Sequence, residues 1–178
     1  RWSVSFASKL ERQNYRNISD NTLGAQRKGP QAEQELELSW LLDAARKLTA
    51  GIGYTYKQAE EQHYAYKGIN LNASYLWMLG KGQYFLQSIE TDFDYYNEPD
   101  FARASASRKD RSLRVRTTYG LPLSLFQIEK ILPKYLDKVF GDMTAGVTYE
   151  FNRTLSNITN YTYNNHKFQG TISKTWSF

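Results

Sequence analysis

Three short rows of ionisable residues stand out by their spacing. Glu33, Glu35 and Glu37 fall at alternate positions, as do Glu90, Asp92 and Asp94, and then Arg114 and Arg116. In an extended strand alternate residues share one face, so each row lays charge of one sign along a wall. Rings of carboxylate or guanidinium around a water-filled passage filter ions by charge. Three carboxylates on one face can also gather a hard cation. The nearby arginines favour neutralisation by charge-assisted pairing instead, and neither a metal site nor a cofactor is expected. Support for catalysis is thin: the chain has no G-x-S-x-G or H-E-x-x-H motif, no cysteine, and only His63 and His166 as histidines.

The elements that must hold these rows read as strands with a period of two. Trp2, Val4, Phe6 and Leu10 alternate with Ser3, Ser5, Lys9 and Glu11, and Leu36, Leu38, Trp40 and Leu42 alternate with the first glutamate row and Ser39. Further alternating runs cover 48–57, 69–79, 85–95, 112–121 and 143–151, and an eighth carries Phe168, Ile172, Trp176 and Phe178. These runs are about ten to fifteen residues long, where a soluble strand has about five or six and a tilted membrane-spanning strand about nine to eleven. Connections alternate too. Asp43 to Lys47 and Gly80 to Gly82 are short, whereas Asn14 to Pro30 and Asn97 to Lys109 are long and polar. One connection, Pro122 to Gly141, breaks this rule and predicts an amphipathic helix over 126–140, with Ile128, Ile131, Leu132, Tyr135, Leu136, Val139 and Phe140 on one face and Pro133 inside the pattern.

Composition fits an alternating chain better than a helical membrane protein. Mean hydropathy is −0.67 although 40% of residues are hydrophobic, and no stretch approaches eighteen apolar residues. Fourteen tyrosines suit two membrane interfaces, where amphipathic rings collect; Tyr64, Tyr66, Tyr95 and Tyr96 read as such anchors. The net charge of +5 is not gathered into a basic run interleaved with aromatics, so no nucleic-acid partner is expected. No signal-peptide core follows Arg1, which places that residue after a processing site or inside a longer polypeptide.

The segment Thr171-Ile172-Ser173-Lys174-Thr175-Trp176-Ser177-Phe178 resembles the C-terminal assembly signal of bacterial outer-membrane β-barrel proteins. Thr171, Ser173, Trp176 and Phe178 carry the likeness, and Ser173 departs from it where glycine is common. Residues 154–178 as a whole look like the final hairpin of such proteins. The resemblance implies localisation in the bacterial outer membrane, contact with outer-membrane lipid, and recognition by the barrel assembly machinery.

We therefore expect an all-β fold over 1–178. The expected architecture is an antiparallel transmembrane β-barrel with about eight strands in this chain, or the C-terminal part of a larger barrel, with one amphipathic helix in a periplasmic connection that packs under the barrel or against the lipid interface, the alternative being a plug or a docking element for a periplasmic partner. With the apolar rows toward lipid, Glu33, Glu35, Glu37, Lys57, Glu90, Asp92, Asp94, Arg114 and Arg116 line the lumen. Symmetric connections would set Asp92 opposite Arg114, Glu90 opposite Arg116, and Glu33 opposite Lys57. Arg12, Gln34, Gln87 and Lys174 then fall on lipid-facing rows, where a charge is costly at midplane and cheap near an interface. The first functional expectation is an outer-membrane pore or export conduit with a charged lumen, and not an enzyme. The alternatives are a closed structural or adhesion barrel acting through its outer loops, and a lipid-modifying enzyme using His166.

Overall fold

The structure, a computed structural model, describes residues 1–14, 27–101, 104–126 and 143–174. The alternating runs form eight strands: β1 (Trp2–Gln13), β2 (Gly29–Leu41), β3 (Arg46–Lys57), β4 (Tyr66–Gly80), β5 (Gln83–Tyr96), β6 (Lys109–Pro122), β7 (Met143–Ser156) and β8 (Tyr163–Lys174). They make one antiparallel sheet in sequence order, each strand beside its chain neighbours. β1 and β8 are the two edges and do not pair with each other, so the sheet is open. Trp176 and Phe178 lie outside the described residues, as does the expected 126–140 helix apart from Phe126, which ends a 3₁₀ turn at Leu123–Phe126.

The period of two sorts the side chains onto the faces expected, because a shift of one residue anywhere would have moved apolar rows among charges. Register locks Phe6 to Leu36, Leu36 to Ile52, and Ile52 to Leu71 on one face. On the other it locks Asn70 to Asp92 and Asp92 to Ser112. The polar face is the concave one. The buried polar residues Gln31, Ser39, Thr49, Asp110 and Thr154 all belong to it, while Leu10 is 82% exposed and Phe168 75% exposed on the opposite face. Among the described residues the buried hydrophobic ones are Ala59, Ala65 and Ile158, and all three sit in connections. The sheet therefore has no apolar core of its own, and most of its large apolar side chains face outward, Leu41, Leu76 and Leu86 near the turn rim being exceptions.

The two ends of the sheet differ. At one end, which we call the turn rim, β2 joins β3 through Leu42 to Ala45, and β4 joins β5 through Lys81 and Gly82. The second is a two-residue hairpin with φ of 50° at Lys81 and 75° at Gly82, the left-handed geometry that matches the twist of the flanking strands. At the opposite loop rim the connections are longer and stitched together. Asn97 donates its backbone N–H to Ala65 O (3.0 Å), and Asn157 receives the Lys109 N–H on Oδ1 (2.7 Å) while its Nδ2 donates to Ser107 O (2.9 Å).

Two register expectations are corrected by two residues each, with the faces unchanged. Glu90 stands opposite Arg114, Asp92 opposite Ser112, and Arg116 opposite Ser88 and Glu150. The cause is an asymmetric loop: β6 begins at Lys109, which pairs with Tyr95, and the Tyr96 N–H donates to Arg108 O (3.0 Å). Glu33 stands opposite Thr55, and Lys57 opposite Gln31 and Tyr66. Here the turn closes early because Leu42 N–H donates to Arg46 O (2.9 Å).

Candidate functional site

The concave face is a polar wall from the loop rim to mid-sheet, with Leu41, Leu76 and Leu86 on it near the turn rim, and its chemistry changes along the sheet. On β1 and β2, Lys9 bridges Glu11 (2.6 Å) and Glu33 (3.8 Å), and Gln31 donates to Glu33 Oε1 (2.5 Å). Glu35 and Glu37 face glycines, Gly53 and Gly51, on β3. With no side chain between them, Asn72 of β4 reaches across β3 and donates to Glu35 Oε1 (3.0 Å). A Cβ on Gly51 would lie 2.8 Å from the Asn72 side-chain amide, so the glycine is what permits this approach. Asn70 donates to Asp92 (2.6 Å) and Glu90 (3.2 Å), tying β4 to β5. The result is a hollow of about 460 Å³ lined by Glu33, Glu35, Asn70, Asn72, Glu90 and Asp92 among others.

β6 to β8 are built differently. Arg114 pairs with Glu90 (2.9 Å), and Arg116 puts Nε and a terminal nitrogen on one oxygen of Glu150 (2.8 and 2.6 Å). Thr118 and Thr148 share a hydroxyl hydrogen bond (2.9 Å) beside that pair. A charge-assisted pair on adjacent strands neutralises the wall locally. Toward the loop rim a second hollow, about 200 Å³, is lined by Asp92, Asp94, Asp110, Arg114, Asn152 and Tyr163 among others. Among the described residues, Asp110 Oδ1, Arg114 Nε and Asn152 Oδ1 are buried there without a hydrogen-bond partner. Arg108 closes this end: its guanidinium lies 3.7 Å from the Tyr161 ring centroid and 4.6 Å from that of Tyr96, and it pairs with Asp110.

All the charged residues predicted for one wall share the concave face. The structure brings together Glu90 with Arg114, and Glu33, Glu35, Glu90 and Asp92 around one hollow. It does not bring Asp92 to Arg114 or Glu33 to Lys57 in cross-strand register. Asp94 faces Gly68 on one side and Asp110 on the other. Sequence reading missed Asn70, Asn72, Glu150, Arg108 and Asp110. Asn70, Asn72, Glu150 and Asp110 share the parity of the chosen rows and were findable from it; Arg108 acts from a loop, where periodicity carries no signal. Tyr66 and Tyr96 also differ from expectation, because their rings meet at 5.3 Å on the concave face, leaving Tyr95 exposed on the convex one.

On the convex face, Gln87 and His166 are held by hydrogen bonds. Gln87 accepts the Thr117 hydroxyl (2.6 Å), so its carbonyl is satisfied between strands. His166 shares a hydrogen bond through Nδ1 with the Tyr149 hydroxyl (2.9 Å) and packs 5.0 Å from Phe151, inside an aromatic group. His63 sits in the 3₁₀ turn Gln62–Tyr64 of a loop-rim connection, its ring tilted against that of Tyr64 with centroids 4.1 Å apart. From the expected assembly segment, Thr171 donates its hydroxyl to Gly146 O (3.4 Å), and Ser173 stands opposite Thr144. The chain matches no protein-family model, no curated protein and no solved structure.

Proposed function

We propose that this sheet is part of the wall of an outer-membrane pore or export conduit, with the concave face toward water and a preference for cations. One observation carries the proposal: strands of twelve to fifteen residues expose their apolar face and curl around their polar one, with no apolar core among the described residues. An apolar surface of this extent in water would drive association, whereas lipid accepts it without cost. The strand length supports the same reading, since about nine to eleven tilted residues cross a bilayer.

The open edges bear on pore size. Unpaired backbone groups are costly in hydrocarbon, so β1 and β8 require further strands beside them in a membrane. An eight-stranded barrel is filled by its side chains, and the hollows on this concave face fit a wider barrel. Its inner wall is acidic where Glu33, Glu35, Glu37 and Asp92 gather and neutralised where Arg114 and Arg116 pair, which leaves a negative field for cations.

Single-channel conductance in a planar bilayer tests this, with the chain assembled beside the further strands that its open edges require. A steady conductance with a cation-selective reversal potential is expected, and the double substitution Arg114→Ala, Arg116→Ala should raise that selectivity by freeing Glu90 and Glu150. Background conductance from both proteins sinks the pore reading. The stitched loop rim supports a second reading, in which the loops bind a partner; then conductance stays at background and binding disappears when residues 98–109 are trimmed.

A further inference from the structure

Charge is divided between the two faces of the sheet. The strand acids Glu11, Glu33, Glu35, Glu90, Asp110 and Glu150 share the concave face with their remaining acidic neighbours, and register places neither Asp nor Glu at a convex position of any described strand. The convex face nevertheless carries cations. Arg12, Lys67, Lys109, Arg111 and Arg153 lie on it, all exposed, and each is within four residues of the loop-rim end of its strand. The turn rim carries fewer: Arg46, held there by Asp43 (2.5 Å), and Lys174 at the end of β8.

We propose that this convex cation belt is a binding site for the phosphate groups of anionic lipid, centred on Arg111 and Arg153. Register makes these two arginines diagonal neighbours on β6 and β7, since Arg111 faces Leu155 and Arg153 faces Leu113. Diagonal neighbours lie about 7–8 Å apart, within reach of one doubly charged phosphate or two adjacent headgroups. A guanidinium fork matches phosphate oxygens and binds them bidentately. Aromatic rings hold the cations at the height where headgroups lie. The Arg111 guanidinium is 5.4 Å from the Phe93 ring and Lys67 Nζ is 6.0 Å from the Tyr56 ring, while Tyr95 stands between Lys67 and Lys109 in the same cross-strand row. A solvated charged face carries both signs; a face without acids, with cations gathered at one rim, aromatics beside them and apolar residues below, matches a phosphate layer over hydrocarbon.

The proposal rests on the membrane reading of the convex face, and the experiment separates the two. The full chain, together with the strands that its open edges require, is reconstituted into nanodiscs of phosphatidylcholine doped with phosphatidic acid, and the lipid retained after detergent extraction is counted by native mass spectrometry. Each cation near an anionic surface favours it by about fivefold. Wild type should therefore retain phosphatidic acid over phosphatidylcholine by at least about fivefold, and Arg111→Gln with Arg153→Gln should abolish the enrichment. Arg116→Gln, on the concave face, should keep it. If the arginine pair proves necessary for folding, Lys67→Gln with Lys109→Gln reads the same belt and should reduce enrichment by a similar factor. Equal retention of both lipids by wild type overturns the lipid-phosphate site while leaving the membrane reading intact. Displacement of phosphatidic acid by inorganic phosphate also overturns it, since the site would then take free phosphate. Failure of the chain to enter the discs overturns both together.

Discussion

The two halves of the concave wall solve the same problem in opposite ways. From β6 to β8 each arginine meets a glutamate on the neighbouring strand, as Arg114 does Glu90 and Arg116 does Glu150. From β2 to β4, Glu35 and Glu37 face Gly53 and Gly51, and their partners are an amide and a hydroxyl: Asn72 for Glu35, Ser39 for Glu37. Neutral donors satisfy the lone pairs of a carboxylate without cancelling its charge, whereas arginine does both. Glycine thus keeps space open and charge uncompensated in one half, and salt bridges fill the wall and balance it in the other. Wall charge is set by what stands opposite each acid more than by the number of acids.

Filling the glycine track is the strongest way to break the comparison. Gly51→Leu with Gly53→Leu places side chains where the Asn72 amide lies 2.8 Å from a Cβ and closes the hollow before Glu35. Single-channel conductance should fall severalfold, on the order of the fraction of passage removed. Thr118→Val, in the balanced half, deletes one hydroxyl of the Thr118–Thr148 pair and should leave conductance within about 20% of wild type. Equal losses in both halves would mean that ions do not pass along the glycine track.

A smaller effect sharpens the same contrast. Glu35→Gln with Glu37→Gln preserves most hydrogen bonding and removes two charges, so cation preference should drop by about twofold in permeability ratio. Glu150→Gln also removes one negative charge but leaves Arg116 unpaired, and should lower the preference by more per substitution. Reversal potentials under a salt gradient measure both. Identical shifts per charge removed would show that pairing with arginine does not matter to the permeating ion.

Which residues share a face was legible in the sequence, and which residues meet was not. Parity survives any even slip, so Glu90, Asp92, Arg114 and Arg116 were correctly placed on one wall before their partners were known. Register is decided by turns, and these turns depend on particular contacts: the Asp43 carboxylate on Ala45 and Arg46, and the Tyr96–Arg108 backbone bond. Neither leaves a periodic trace. Tyr66 and Tyr96 show the complementary limit: composition marked them as interface rings, yet parity assigns both to the concave face. The charge division of the convex face was also present in the alternation, but it emerges only when eight strands are aligned and their rim ends compared.

The smallest predicted effect concerns how a turn sets the wall. Asp43 accepts Arg46 Nε (2.7 Å) and the Ala45 N–H (2.9 Å), and these bonds hold its carboxyl below the ordinary carboxylate value, the Arg46 contact contributing most. Because the folded value is depressed, the turn's stabilisation is fully present above the unfolded carboxylate value and is lost as pH falls through the folded one. Asp43→Asn should therefore lower unfolding resistance slightly at neutral pH, and the difference from wild type should vanish in acid. Urea unfolding of both proteins in lipid across that range measures it. A difference that persists at low pH would show that side-chain shape at 43, rather than its charge, closes the turn early and fixes Glu37 opposite Gly51.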